Sequence, residues 1–158
     1  MARNLELLKQ TWEFIKKNPE MHNQADFINN TQCGTTMCFA GHATVLSGAE
    51  FPKDPNDSYW FLTPDGKLTE KDENGARTGI YVEKYARDVL GMTYEESQFI
   101  FYHTLNYGFA EKIEYLIKLW EDGETYDGYD FDEYYDDYDD GPCPCCDYDE
   151  EDDSYDCE

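Results

Sequence analysis

Residues 121–158 contain no lysine and no arginine. The same stretch contains 19 of the chain's 36 aspartate and glutamate residues, so it supplies most of the formal charge of −24. A chain with this charge repels polyanions, which argues against direct binding to nucleic acid or to an anionic membrane. Basic protein surfaces and metal ions remain as partners.

Long apolar runs are also missing. No stretch approaches the roughly 20 apolar residues that a membrane-spanning helix needs. Residues 1–17 place charged side chains in every turn, unlike a secretory signal. We therefore expect a soluble, cytoplasmic protein. Its six cysteines are then expected to serve as thiols or metal ligands rather than as disulfides.

Common catalytic motifs are absent from the sequence, including Gly-x-Ser-x-Gly, the phosphate-binding P-loop and His-Glu-x-x-His. No reaction is therefore indicated, and a non-enzymatic interaction protein is favoured over an enzyme. The sequence does not indicate an oligomeric state.

The charge distribution divides the chain near Gly123. Residues 1–123 have the length and composition of one globular domain. Residues 124–158 combine acidic residues with tyrosine, proline and clustered cysteine. Low aliphatic content and charge repulsion predict that residues 124–158 form a disordered acidic tail.

Apolar periodicity in residues 1–123 predicts about five helices. They are expected near residues 5–17, 36–47, 82–90, 94–102 and 109–122. Asn4 is placed to cap the first helix, and Thr93 with Glu96 forms a capping box for the fourth. Gly91 and Gly123 should end the third and fifth helices.

A small β-hairpin is predicted between the second and third helices. Aromatic residues at 59–62 precede the turn sequence Thr-Pro-Asp-Gly at 63–66, and a second short apolar segment follows at 67–69. The predicted fold class is therefore mainly α, with about five helices and one small hairpin packed as a single domain.

Residues 33–43 read Cys-Gly-Thr-Thr-Met-Cys-Phe-Ala-Gly-His-Ala and are the most chemically suggestive block. On the predicted helix Cys38 and His42 are four residues apart, with Cβ atoms roughly 5 to 6 Å from each other. Cys33 would lie just before the helix, and Gly34 would allow the chain to turn it inward. Three such ligands suit a tetrahedral zinc ion. Candidates for the fourth ligand are His22, His103, a water molecule and the tail thiolates of Cys143, Cys145 and Cys146.

Two other interpretations of this block stay open. A helix face of cysteine, alanine and glycine is a natural packing surface. Alternatively, Cys33 would be a reactive thiol, since the positive end of a helix dipole stabilises a nearby thiolate. Catalysis by that thiol would also need a base, and no sequence spacing ties a particular histidine to Cys33.

The acidic tail alternates aromatic and acidic residues at 126–138. An extended chain rises about 3.3 Å per residue, so an acid at every second position gives one charge per about 6.6 Å. Duplex DNA has one charge per about 1.7 Å, which makes strict DNA mimicry unfavourable. Electrostatic capture of a basic protein surface, with tyrosine stacking on lysine or arginine, fits better. The thiols of Cys143, Cys145 and Cys146 are expected to be exposed and either metal-binding or oxidisable.

Residues 33–43 also resemble the core of a group of small bacterial and bacteriophage proteins with the pattern Cys-Gly-Thr-x-x-Cys-apolar-Ala-Gly-Trp/His-Ala. The likeness extends more loosely over much of residues 10–120, and the tail lies outside it. Position 42 is more often tryptophan in that group. The group has no established activity, so the resemblance implies only a small cytoplasmic helical protein of bacterial or bacteriophage origin.

Overall fold

The computed structural model describes residues 2–31, 34–54, 56–57, 60–102 and 108–128. Within these ranges the helices are α1 (Leu5–Lys17), α2 (Phe39–Leu46), α3 (Val82–Leu90), α4 (Tyr94–Phe101) and α5 (Phe109–Glu121). The strands form two antiparallel pairs, β1 (Asn29–Thr31) with β2 (Gly34–Thr36) and β3 (Phe61–Leu62) with β4 (Ile80–Tyr81). The predicted fold class, mainly α with a small antiparallel hairpin, is confirmed.

The helix ends follow the predicted capping signals. The side chain of Asn4 accepts a hydrogen bond from the Leu7 backbone N–H at 3.1 Å and so caps α1. Both hydrogen bonds of the capping box between Thr93 and Glu96 are present at the start of α4. Gly91 ends α3 in the left-handed conformation, with φ of 70°. Local sequence therefore determines where these helices begin and end.

The core is built around α2, which packs against α1 on one side and α3 on another. Phe39, Ala40 and Ala43 of α2 have no exposed surface. Large side chains from the other elements fill the remaining core. Those without exposed surface include Leu8, Leu62, Leu90, Ile100, Ile113 and Leu116. Burial of this apolar surface is the main favourable term in the stability of the domain.

The predicted hairpin is present at residues 61–69. Its turn is closed by the backbone N–H of Thr63, which donates to the carbonyl oxygen of Lys67 at 2.8 Å, and Leu62 bridges to Leu68. Strand β4 then pairs with β3 on the other side, with Phe61 opposite Tyr81. This second pairing brings the start of α3 next to the hairpin.

Helix α2 begins at Phe39, three residues later than the sequence periodicity predicts. The backbone before it is occupied by long-range pairing. Thr36 pairs with Asn29 across the β1–β2 pair, and the Met37 N–H donates to the carbonyl oxygen of Met21 at 2.9 Å. Strand pairing keeps this backbone extended, and the Met37 carbonyl oxygen accepts from the Asn23 N–H at 3.0 Å, so Thr36 and Met37 do not join the helix.

Residues 124–128 continue from α5 and stay attached to the helices. Tyr126 is 9% exposed, and its ring stacks on Phe99 with centroids 4.2 Å apart. The Tyr126 backbone N–H points to the Glu96 carboxylate at 3.4 Å. Contacts accordingly group Met1–Gly128 into one unit. The rest of the predicted acidic tail, residues 129–158, lies outside the described residues.

No helix in the described part of the chain has the length and apolar content to cross a lipid bilayer.

Candidate functional site

The junction that leads into α2 is held by the segment of residues 21–26. The Cys38 backbone N–H donates to the carbonyl oxygen of Asp26 at 2.8 Å. The Phe39 N–H donates to the side-chain oxygen of Gln24 at 3.2 Å, and the Gln24 amide donates to the Ile100 carbonyl at 2.8 Å. The start of α2 at Cys38 is therefore fixed relative to the 21–26 segment and to α4.

Cys38 occupies the N-cap position of α2 and is 2% exposed. Burial raises the pKa of its thiol to about 11, although the backbone N–H groups of Gly41 and Ala40 pull it in the opposite direction. The N-terminus of α2 thus lowers the pKa of this thiol, as expected, but desolvation raises that pKa by more. Cys38 is a neutral, buried thiol at physiological pH.

His42 projects from α2 towards α1. Its Nε2 atom lies 3.0 Å from the carbonyl oxygen of Met21, an arrangement in which Nε2 carries the proton and donates. Its ring packs against Phe14 with centroids 5.3 Å apart. Burial lowers the pKa of His42, while the backbone groups of Met21 and Met37 oppose that change. His42 is therefore a neutral, hydrogen-bonded core histidine.

His22 lies beside His42, with ring centroids 5.9 Å apart, and stacks on Phe109 at 5.1 Å. Both of its ring nitrogens are buried without a hydrogen-bond partner of normal geometry among the described residues. Burial, followed by the charge of His42, lowers the pKa of His22 to about 4, and the nearby Met37 backbone opposes this weakly. The two histidines form a neutral pair between α1, α2 and α5.

This pair predicts a pH-dependent stability. The folded pKa of His22 lies below its unfolded value near 6.5, so the unfolded chain takes up the proton first. The stabilisation is complete above about pH 6.5 and is lost as the pH falls towards 4. The whole pKa difference of His22 corresponds to about 3 kcal/mol in the free energy of unfolding. Because solvent reaches part of the ring, we expect the free energy of unfolding to fall by about 1 to 2 kcal/mol.

The measurement compares urea unfolding of the wild type with that of His22→Phe at several pH values from 7.5 to 4.5. Phenylalanine preserves the stack on Phe109 but cannot be protonated. The two proteins differ in no other residue, so the difference between the two curves reports His22 together with its coupling to His42. Parallel curves over this range would show that His22 is not buried as a neutral ring.

A cavity of about 340 Å³ opens beside His42. It is lined by Phe14, Met21, Thr35, Met37, His42, Val45, Leu46 and Phe51. Its lining is apolar except for His42, whose Nε2 bonds to the Met21 carbonyl oxygen, and Thr35, whose hydroxyl donates to Asn30 at 2.6 Å. Chemically it can accept an apolar group, but it offers no catalytic arrangement.

The predicted zinc ligands are only partly described. Cys38 and His42 are one helical turn apart, and the His42 N–H donates to the Cys38 carbonyl oxygen at 3.0 Å. Their side chains have different surroundings. The imidazole of His42 contacts Phe14 and His22, whereas the Cys38 side chain is close enough to Tyr81 and Tyr102 for its ionised form to raise their pKa. Among the described residues no three histidine, cysteine or acidic side chains are grouped to hold a metal ion. The other proposed ligands, Cys33, His103, Cys143, Cys145 and Cys146, lie outside those residues, so the zinc site stays a prediction.

No family model matches the chain, and the comparisons found no significant similarity to a curated protein or to a solved structure. The resemblance of residues 33–43 to small bacterial and bacteriophage proteins therefore also stays a prediction.

An aromatic cluster near the thiol of Cys38 was not predicted. It consists of Phe27, Tyr81 and Tyr102, with Glu83 beside them. These residues are far apart in sequence, and no local motif links them. The only sequence signal was the high aromatic content of 16% for the whole chain, which cannot identify a site.

Proposed function

We propose that this protein is a non-enzymatic interaction protein whose acidic, tyrosine-rich tail binds a basic surface on a partner protein. The separation of charge along the chain carries this proposal. All 12 lysine and arginine residues lie before residue 119, whereas 19 acidic residues lie in 121–158. Residues 1–120 have a formal charge of only −5, so the attraction for a cationic partner is concentrated in the tail.

The attachment of residues 124–126 supports the proposal, because it fixes the point from which the tail extends. The guanidinium of Arg3 bonds to the Glu124 carbonyl oxygen and to the Thr125 hydroxyl, the latter at 2.7 Å. Tyr126 adds its stack on Phe99. The first residues of the predicted tail are thereby anchored to the helical domain.

Catalysis receives no support from the described residues. Cys38 is held as a neutral thiol by burial, and the two histidines form a neutral pair in the core. A nucleophile and a base within hydrogen-bonding reach, as covalent catalysis requires, are not found among these side chains.

Neutralising the tail should strongly weaken binding to a basic ligand. In the test variant the 15 acidic residues of 129–158 become asparagine or glutamine, and every tyrosine and cysteine is kept. We expect affinity for a lysine-rich peptide to fall at least tenfold at low ionic strength, because the attraction is Coulombic and screened over about 10 Å at 0.1 M salt. Calorimetric titration at 20 and 200 mM salt measures both the affinity and its salt dependence.

Two controls separate charge from the other properties of the tail. A peptide with citrulline in place of lysine should bind neither protein. A second variant, with the six tyrosines of 129–158 changed to serine, should keep most of the salt dependence and lose only the stacking contribution. Equal affinity of the wild type and the neutralised variant for the lysine-rich peptide would refute the proposed function.

A further inference from the structure

The rings of Phe27, Tyr81 and Tyr102 form a partly exposed cluster, which we call the aromatic recess. Tyr81 meets Phe27 at 5.5 Å between centroids with an interplanar angle of 76°, and Tyr102 meets it at 6.2 Å and 77°. No direct contact joins the rings of Tyr81 and Tyr102, both of which the structure describes. The two tyrosine rings are therefore each nearly perpendicular to the ring of Phe27 and do not stack on each other.

A carboxylate lies at this recess. Glu83 accepts a hydrogen bond from the Tyr102 hydroxyl at 2.6 Å and from the Gln98 amide at 3.4 Å. Both donors are neutral, and within the described part of the chain no lysine or arginine forms an ion pair with Glu83. Neutral donors thus hold the Glu83 carboxylate at the Tyr102 hydroxyl, on the edge of the cluster.

The rings are accessible to a ligand. Tyr81 is 39% exposed and Tyr102 is 49% exposed, which places them among the most exposed large apolar side chains of the described residues. Burial and then the Glu83 carboxylate raise the pKa of Tyr81 and of Tyr102, so both phenols remain neutral at physiological pH. Neutral phenol rings retain the negative π-faces that attract cations.

We propose that the aromatic recess binds one cationic side chain, an arginine or lysine, from a basic protein segment. The aromatic faces attract the cation through their quadrupoles, and Glu83 supplies a carboxylate that its guanidinium or ammonium group can contact. The charge of the site excludes an anionic ligand, since a phosphate or carboxylate would meet Glu83. The inference rests on the proposed function for the kind of partner, and it gives the helical domain a contact of its own with that partner.

The probe is a capped Gly-Arg-Gly peptide, with Gly-citrulline-Gly as its uncharged analogue of equal shape. The full-length protein is titrated with each peptide, and backbone amide chemical shifts are followed by NMR. We expect the arginine peptide to shift the amides of Phe27, Tyr81, Glu83 and Tyr102, with a dissociation constant roughly in the millimolar range for a single side chain. The citrulline peptide should bind at least fivefold more weakly.

Variants test the two components of the recess separately. Glu83→Gln should weaken binding of the arginine peptide about fivefold, and Tyr102→Ala should do the same by removing a ring. Tyr102→Phe keeps the ring and should bind within about twofold of the wild type. Glu114→Gln on α5 has the same change in charge at an exposed position and should have no effect.

The tail and the recess give different results in this experiment. The neutralised-tail variant keeps the recess and should bind the arginine peptide within about twofold of the wild type, even if the proposed role of the tail is wrong. Unchanged affinity in both Glu83→Gln and Tyr102→Ala would overturn the recess as a binding site. Equal binding of the arginine and citrulline peptides would show that the cation is not recognised.

Discussion

Replacing Glu96 with alanine should destabilise the protein by about 3 to 5 kcal/mol, the range expected when one partner of a buried ion pair is removed. Glu96 has no exposed surface, and its carboxylate joins three parts of the chain. It accepts hydrogen bonds from the Arg3 guanidinium at 3.1 Å, the Trp120 indole at 2.9 Å and the Thr93 and Tyr126 backbone N–H groups at 3.0 and 3.4 Å. Alanine would leave all four donors without their acceptor.

The substitution Glu96→Gln separates charge from shape. Glutamine has nearly the same volume and keeps one oxygen acceptor, but its amide nitrogen would face a donor on the other side. It also removes the negative charge that Arg3 faces. We expect a loss of about 2 kcal/mol, smaller than that of alanine because part of the hydrogen bonding survives.

Urea unfolding followed by circular dichroism at pH 7 measures both losses. Glu114→Ala removes an exposed carboxylate from α5 and should stay within about 0.5 kcal/mol of the wild type. Hydrogen exchange adds a local readout, since loss of Glu96 should speed exchange of the Tyr126 amide in particular. A Glu96→Ala protein as stable as the Glu114→Ala control would mean that the buried carboxylate does not hold these elements together.

The capping box shows what sequence could and could not predict. Thr93 and Glu96 are three residues apart, so their reciprocal hydrogen bonds follow from local geometry and were predicted correctly. The burial of Glu96 depends on Arg3 and Trp120, which lie at opposite ends of the helical domain's sequence and meet at the carboxylate. No local pattern contains that information. A residue predicted as a helix cap is therefore also the centre of a long-range polar network.

The same distinction applies to the block at residues 33–43. Its spacing correctly placed Cys38 and His42 one turn apart, but the start of α2 depends on pairing with residues 21–31. Cys38 occupies the N-cap of α2, whereas Cys33 lies outside the described residues. Burial of Cys38 was one of the open alternatives, and it decides the protonation of that thiol. The role of Cys33 remains a prediction.

Residues 124–126 show that composition alone does not indicate where the packed part of the chain ends. Their acidic surroundings resemble the rest of the tail, yet Tyr126 stacks on Phe99 and is almost fully buried. Aromatic side chains pack wherever a complementary ring is accessible, whatever the charge of the neighbouring residues. The acidic residues that define the tail in the sequence therefore did not predict that residues 124–126 pack against the helices.

Gly41→Ala tests why the block at residues 33–43 contains glycine. Alanine is about 1 kcal/mol more favourable than glycine inside a helix, so at an open helical position this substitution would stabilise the protein. Cβ atoms in proteins essentially never lie within 3.0 Å of a non-bonded atom. A Cβ atom on Gly41 would come far closer than this to the Phe27 carbonyl oxygen, and it would lie 2.9 Å from the Met37 Cβ atom. The Phe27 backbone cannot rotate away as the tip of a side chain can, so we expect the free energy of unfolding to fall by about 3 kcal/mol.

The sign of the change is therefore diagnostic, and urea unfolding measures it. Gly48→Ala is the matched control, because its added Cβ would meet no atom within 4 Å and only its positive φ of 93° is unfavourable. That control should lose about 1 to 2 kcal/mol, less than Gly41→Ala. Since Phe27 must move to admit the new methyl group, binding of the arginine peptide at the aromatic recess should weaken in Gly41→Ala and not in Gly48→Ala. A stabilised Gly41→Ala protein would contradict the close contact between α2 and the Phe27 backbone.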